Sequence, residues 1–236
     1  MTTEPLDYQD GDALCRGQVA LPAGSDKRPG IAVFADIGGV GEHTARWAQQ
    51  LADELGYVAL AADTYGDGKS PRDFGEGLPW VQDWKADPVR LVQRGVAALD
   101  ALAAHPRCDG RLGAIGFCFG GTMVLELARH GHPGYLACAS FHGDAATPQP
   151  AIKPIDAKIL VLHGAEDPLM NYDVLTKFLG EMAAVKADCQ TVCYTGIVHS
   201  FTNRNADGSM GFAKYDEATT RRSWNAMAAH FREVFA

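Results

Sequence analysis

Short, continuously apolar runs alternate along this chain with longer stretches in which apolar residues recur every three or four positions. The first class comprises GIAVFAD (30–36), YVALAAD (57–63), RLGAIGF (111–117), YLACASF (135–141), AKILVLHG (157–164) and QTVCYT (190–195), all predicted strands. Most lack polar alternation, as expected of strands covered on both faces of a largely parallel sheet. ALCRGQVALP, near the start, reads as an antiparallel edge strand. In the second class, Ala48, Leu51, Ala52 and Leu55 fall at i, i+3, i+4 and i+7, and Gly56 supplies a stop. Val92, Val96, Leu99 and Ala103 mark another helix, GTMVLELARH a third, and Trp224, Met227, Phe231 and Val234 a last one. The alternation predicts an α/β fold, a mostly parallel sheet with helices on both faces. Without repeats or a low-complexity linker, residues 1–236 read as one domain. Residues 64–84 stand apart: rich in Gly and Pro yet holding Tyr65, Phe74, Trp80 and Trp84, they read as a long loop that binds ligand or closes as a lid.

Charge and cysteine usage narrow the function classes. A net charge of −8 over 236 residues argues against nucleic-acid and anionic-membrane partners, and Arg221-Arg222 reads as a solvated helix face. The first residues, MTTEPLDYQDGDAL, are acidic and polar with no signal-like apolar core, and no apolar run approaches the ~18 residues of a membrane span. Six cysteines lie scattered without a C-x-x-C pair, so a reduced, cytoplasmic protein is expected. Cys138, Cys189 and Cys193 read as inert strand fillers. The histidines are dispersed, and neither a metal nor another cofactor is expected.

Cys118 breaks this bland pattern. In GFCFG it sits between a predicted strand and a predicted helix, flanked by Gly116 and Gly120. A tight strand-to-helix turn of this kind exposes a nucleophile, and neighbouring side chains would collide with it. The helix N-terminus also favours a thiolate. Such a nucleophile needs an acid and a histidine later in the chain. AEDPLM puts Asp167 just past the 157–164 strand, and GIVHSF puts His199 in the loop before the last helix. Both follow carboxyl ends of strands, where α/β sheets assemble their sites. The histidine would deprotonate the thiol and the aspartate would hold its tautomer.

From the 30–36 strand to the last helix, GFCFGG, HGAEDP and VHSF together give a chain that resembles the dienelactone hydrolases, including members that hydrolyse phosphotriesters promiscuously. The resemblance implies an α/β-hydrolase fold, Cys118 as nucleophile, Asp167 as orienting acid and His199 as base. It places the oxyanion hole at the backbone N–H groups of Ile37 and Phe119. It further implies a monomer. Family members commonly carry a glutamate that pairs with the resting thiol; Asp36, one methylene shorter, occupies that place here. Where the family uses an arginine to hold a substrate carboxylate, this chain has Asn203, with Arg204 one position later and Arg72 as a loop candidate for a second clamp. A substrate with little or no negative charge is therefore expected.

Trp80, His142, Met170 and Phe201, together with Ile37 and Phe119, are candidates for a pocket around an aryl or alkyl group, although His142 in SFHG could instead bond backbone. The expected activity is metal-independent hydrolysis of lactones and aryl or alkyl esters, with phosphotriester hydrolysis through the same covalent cysteine. Alternatives are an acyltransferase and a ligand-binding or thiol-redox module on the same fold. A class I amidotransferase would need His-x-Glu late in the chain, but His199 is followed by Ser200 and Phe201.

Overall fold

The computed structural model describes residues 2–236 of the chain. Eight strands form one sheet: β1 (Thr2–Asp10), β2 (Ala13–Leu21), β3 (Arg28–Phe34), β4 (Val58–Ala62), β5 (Cys108–Phe117), β6 (Tyr135–Phe141), β7 (Lys158–Gly164) and β8 (Cys189–Tyr194). Their order is β1-β2-β4-β3-β5-β6-β7-β8. β2 runs antiparallel to β1 and β4, and the remaining neighbours are parallel. Six helices flank the sheet: α1 (Glu42–Gln50), α2 (Phe74–Ala86), α3 (Pro88–Ala104), α4 (Phe119–His130), α5 (Tyr172–Ala184) and α6 (Glu217–Val234).

The unbroken apolar runs have a direct cause. All five residues of β4 are buried, because alternate side chains enter different cores. Ala32, Phe34, Val58 and Leu60 pack with Leu99 and Leu102 of α3 and with Met123 and Leu127 of α4. Ile31, Val33, Ala59 and Ala61 pack with Trp47 of α1 and with Trp224, Met227 and Phe231 of α6. Both faces are dry, so neither tolerates the polar alternation of a one-sided sheet.

Three expectations are corrected. β2 is not the edge strand: β1, a period-two strand with Tyr8 turned inward, covers it. Residues 74–84 are not loop but most of α2, whose N-terminus is capped by Asp73 accepting from the Glu76 N–H. Gly75, Gly77 and Pro79 are poor helix formers, and tertiary packing overrides them. At Gly77 a Cβ would lie 2.6 Å from Cγ1 of Ile37, so glycine lets α2 approach the loop after β3. Cys193, expected as a filler, is exposed, whereas Cys138 is buried and burial pushes its thiol up to about 12. α1 is continued by a π-helical turn, Leu51–Leu55, which ends at Gly56 in the left-handed conformation (φ 72°). Among the described residues no helix is long and apolar enough to cross a membrane.

Candidate active site

The candidate residues converge on the carboxyl ends of the parallel strands. Cys118 follows β5 directly and is the N-cap of α4, at φ 51° and ψ −113°. A non-glycine residue holds such a conformation only where its surroundings over-determine it. They do so here. The Cys118 N–H donates to the carbonyl of Phe141 (3.0 Å) and to Nδ1 of His142 (3.1 Å), and the Gly120 N–H donates to the carbonyl of Ala35 (2.9 Å). The turn closes only with glycines on either side. A Cβ on Gly116 would lie 2.0 Å from the Gly120 carbonyl oxygen, and one on Gly120 would lie 2.4 Å from that of Phe34.

Asp167 and His199 are both 3 % exposed. Nδ1–H of His199 donates to Oδ2 of Asp167 at 2.7 Å, and Oδ1 of Asp167 accepts the Leu169 N–H at 2.9 Å, so both carboxylate oxygens are fixed. The His199 backbone is pinned by exchange with residues 212–214: its N–H donates to Phe212 and its carbonyl accepts from Lys214. Nε2 of His199 is buried and has no hydrogen-bond partner of ordinary geometry, yet Cys118 is the strongest influence raising the pKa of this imidazole. Burial alone would lower that pKa; the charge of Cys118, the hydrogen bond to Asp167 and the charge of Asp167 outweigh it and push it up to about 10. With the folded value above the unfolded 6.5, the stabilisation from this proton is full below pH 6.5 and is lost as pH rises through about 10. Alkylating Cys118 with iodoacetamide removes the ionisable thiol beside His199. The His199 pKa, followed by NMR titration, is then expected to fall; an unchanged value would show that Asp167 alone sustains it.

Among the described residues, no turn, loop or side-chain hydrogen bond engages the backbone N–H of Ile37 or of Phe119. Asp36 does not bond the thiol. Its Oδ1 accepts the Gly38 N–H, its Oδ2 accepts the Asn203 amide at 2.9 Å, and His43 lies 3.8 Å away. A side chain one methylene shorter than glutamate closes its own turn instead of reaching across to Cys118.

The pocket expectations fare unevenly. Met170 (1 % exposed), Phe201 (0 %) and His142 (1 %) are buried, Met170 in the core that holds α3 and α4 and Phe201 in the core that holds α1 and α6. Phe201 packs edge-on against His142 at 5.1 Å. Because Nδ1 of His142 accepts the Cys118 N–H, Nε2 carries the proton and donates to Oγ1 of Thr202 at 2.8 Å. Burial, then the charge of His199, holds the His142 pKa well below its usual value, preserving that tautomer. The imidazole thus ties the cysteine turn to the loop carrying His199. Trp80 is half-buried against Tyr65 at 5.1 Å, and Tyr65 stacks on Phe119. Arg204 is exposed, and Arg72 is paired with Glu76 at 3.0 Å. Sequence reasoning noted Tyr65 only as one aromatic of the 64–84 stretch and passed over His43 and Thr202, none of which belongs to a local motif.

A cavity of about 1150 Å³ lined by β1, α3, α4 and residues 149–153 shares no residue with this cluster. His130 and His132, the one H-x-H pair in the sequence, do not form a metal site: His132 bonds Asp100, and no group of three or more His, Cys, Asp or Glu among the described residues is placed to hold a metal ion.

The dienelactone hydrolase family model matches residues 15–235. The crystal structure of a dienelactone hydrolase-like promiscuous phosphotriesterase from metagenomic libraries is 37 % identical, covers 100 % of this chain and 99 % of its own, and superposes with a TM-score of 0.92. A second structure, m3DLH, is 38 % identical with the same coverage and a TM-score of 0.94. A carboxymethylenebutenolidase from a Pseudomonas species is 30 % identical over 156 residues, 61 % of each chain. The protein is a hydrolase of the dienelactone hydrolase family, α/β-hydrolase in fold.

Proposed function

We propose that this hydrolase cleaves neutral carboxylic esters and lactones, and neutral phosphotriesters in the same site, through a covalent intermediate on Cys118. The observation that carries the proposal is the buried Asp167–His199 pair set against a cysteine held in a strained turn at a helix N-terminus.

In the first half-reaction the Cys118 thiolate attacks the carbonyl carbon, and the C=O electron pair moves to the oxygen. That oxyanion is taken up by the Ile37 and Phe119 N–H groups, two donors each worth on the order of 3 kcal/mol. As the intermediate collapses, the His199 imidazolium protonates the departing alkoxide. The sulfur is now a neutral thioester, so the charge that raised the His199 pKa is gone, and the imidazole becomes a competent base. Its Nε2 takes a proton from water, the hydroxide attacks the thioester, and the thiolate leaves, restoring the ion pair.

At a phosphotriester the same attack gives an S-phosphoryl enzyme. A serine adduct of this kind stalls, because an alkoxide leaves poorly; a thiolate of pKa near ~8.5 leaves far more readily. The engagement of the candidate clamp residues elsewhere supports neutral substrates. Arg72 is tied to Glu76, Arg204 faces solvent, and Asn203 is engaged by Asp36.

Steady-state competition tests the shared site. Paraoxon is expected to inhibit p-nitrophenyl acetate hydrolysis competitively with an inhibition constant equal to its own KM. Independent turnover of the two substrates would separate the activities and sink the proposal.

A further inference from the structure

Resting on that reading, we infer that Tyr65 is a positioning residue that braces both halves of the oxyanion hole, its hydroxyl holding Ile37 and its ring holding Phe119.

The two N–H donors sit on unrelated segments. Phe119 begins α4 and is oriented by the helix. Ile37 lies in Ile37-Gly38-Gly39-Val40-Gly41, a glycine-rich run outside any helix or strand, with Gly39 at φ 77°. No helix or strand orients its peptides; within the loop the Asp36 carbonyl, on the same peptide as the Ile37 N–H, accepts from the Gly39 N–H at 3.1 Å, and the Gly38 N–H donates to Oδ1 of Asp36. Among the described residues the Gly120 N–H donates to the Ala35 carbonyl, a link between the two segments that lies two residues short of Ile37. Tyr65 adds a tie from outside the loop, to the carbonyl side of Ile37. Its hydroxyl donates to the Ile37 carbonyl at 3.0 Å, and its ring stacks on Phe119 at 6.1 Å with 12° between planes. The glycine run also packs against this ring, since a Cβ on Gly39 would lie 3.2 Å from Cδ2 of Tyr65 and 2.9 Å from the Lys69 carbonyl oxygen.

The brace stands on a rigid base. Two residues before Tyr65, the buried Asp63 carboxylate accepts the N–H groups of Arg16, Gly66 and Gly68, and Tyr8 exchanges hydrogen bonds with the Asp63 backbone. The chain leaving β4 is therefore fixed on both sides of Tyr65. The phenol also remains a donor: burial, then the nearby charges of Cys118 and Asp36, raise its pKa well above the ordinary value.

Tyr65→Phe keeps the ring and its stack and removes only the hydroxyl. Two reactions of Cys118 then separate a brace from a structural prop. Acylation by p-nitrophenyl acetate develops an oxyanion; alkylation by iodoacetamide, a displacement at saturated carbon, does not. The Tyr65→Phe variant is expected to lose about 10- to 100-fold in the acylation rate constant, the range for a displaced oxyanion donor or somewhat below it, with the substrate dissociation constant from the burst titration unchanged and the alkylation rate within twofold of wild type. Tyr65→Leu, which also loses the stack, is expected to fall further in acylation alone. Unchanged acylation in Tyr65→Phe would overturn the brace, and so would an equal fall in alkylation, which would place the effect on the thiol. If wild type itself showed no Cys118-dependent burst, the nucleophile reading would fail and the brace with it.

Discussion

Replacing Cys118 with alanine is expected to lower kcat/KM for p-nitrophenyl acetate by about 10⁴- to 10⁶-fold, the scale seen when a triad nucleophile is removed, and to abolish the burst. The variant should fold, because alanine fills less space than cysteine and the turn is held by backbone bonds from Cys118 and Gly120, which alanine retains. The remaining rate would come from the two N–H donors and from substrate binding. Cys118→Ser sharpens the test. With paraoxon it is expected to release at most one equivalent of p-nitrophenol per enzyme and then stop, since the serine adduct has a poor leaving group. Steady paraoxon turnover by the serine variant would mean that sulfur is not needed as a leaving group, contradicting the proposed route.

Asp167→Asn should have the second largest effect, about 10³- to 10⁴-fold on kcat at neutral pH, with little loss of stability. The argument rests on Leu169. Its N–H bonds one carboxylate oxygen of Asp167 and requires an acceptor there, so an asparagine must keep its oxygen toward Leu169 and turn its NH₂ toward His199. Nδ1 of His199 would then have to accept, the proton would move to Nε2, and the nitrogen facing Cys118 could no longer act as a base. The His199 pKa should fall with the loss of the Asp167 charge. A variant with full activity and the wild-type His199 titration would show that Asp167 does not set the tautomer.

The sheet and the cysteine turn were legible in the sequence because each is encoded locally. A strand buried on both faces must be continuously apolar, and the turn at Cys118 admits only glycine at positions 116 and 120, where a Cβ would meet backbone atoms that cannot move. The order of Asp167 and His199 after the cysteine was readable for the same reason, as each falls one loop beyond an apolar run. α2 was not readable, because Gly75, Gly77 and Pro79 disfavour helix and the helix exists through its packing on Ile37 and through Trp84. β1 was hidden by its polar alternation, which is what an edge strand with one wet face should show. The pocket misled for a different reason. Apolar residues close to a motif in sequence can belong to any layer, and Met170 and Phe201 are buried in different cores on the two faces of the sheet. Asp36 shows the cost of one methylene: its carboxylate serves Gly38 and Asn203, a choice that side-chain length decides and residue type alone does not.

The central claim is that one sulfur attacks both carbon and phosphorus. Rapid quenching of the enzyme with p-nitrophenyl acetate, and separately with paraoxon, followed by peptide mass analysis, tests it most directly. The account predicts an acetyl or a diethylphosphoryl group on the peptide bearing Cys118, formed at the rate of the burst and lost at the rate of turnover. Turnover with Cys118 unmodified, or an adduct on any other residue, would contradict it.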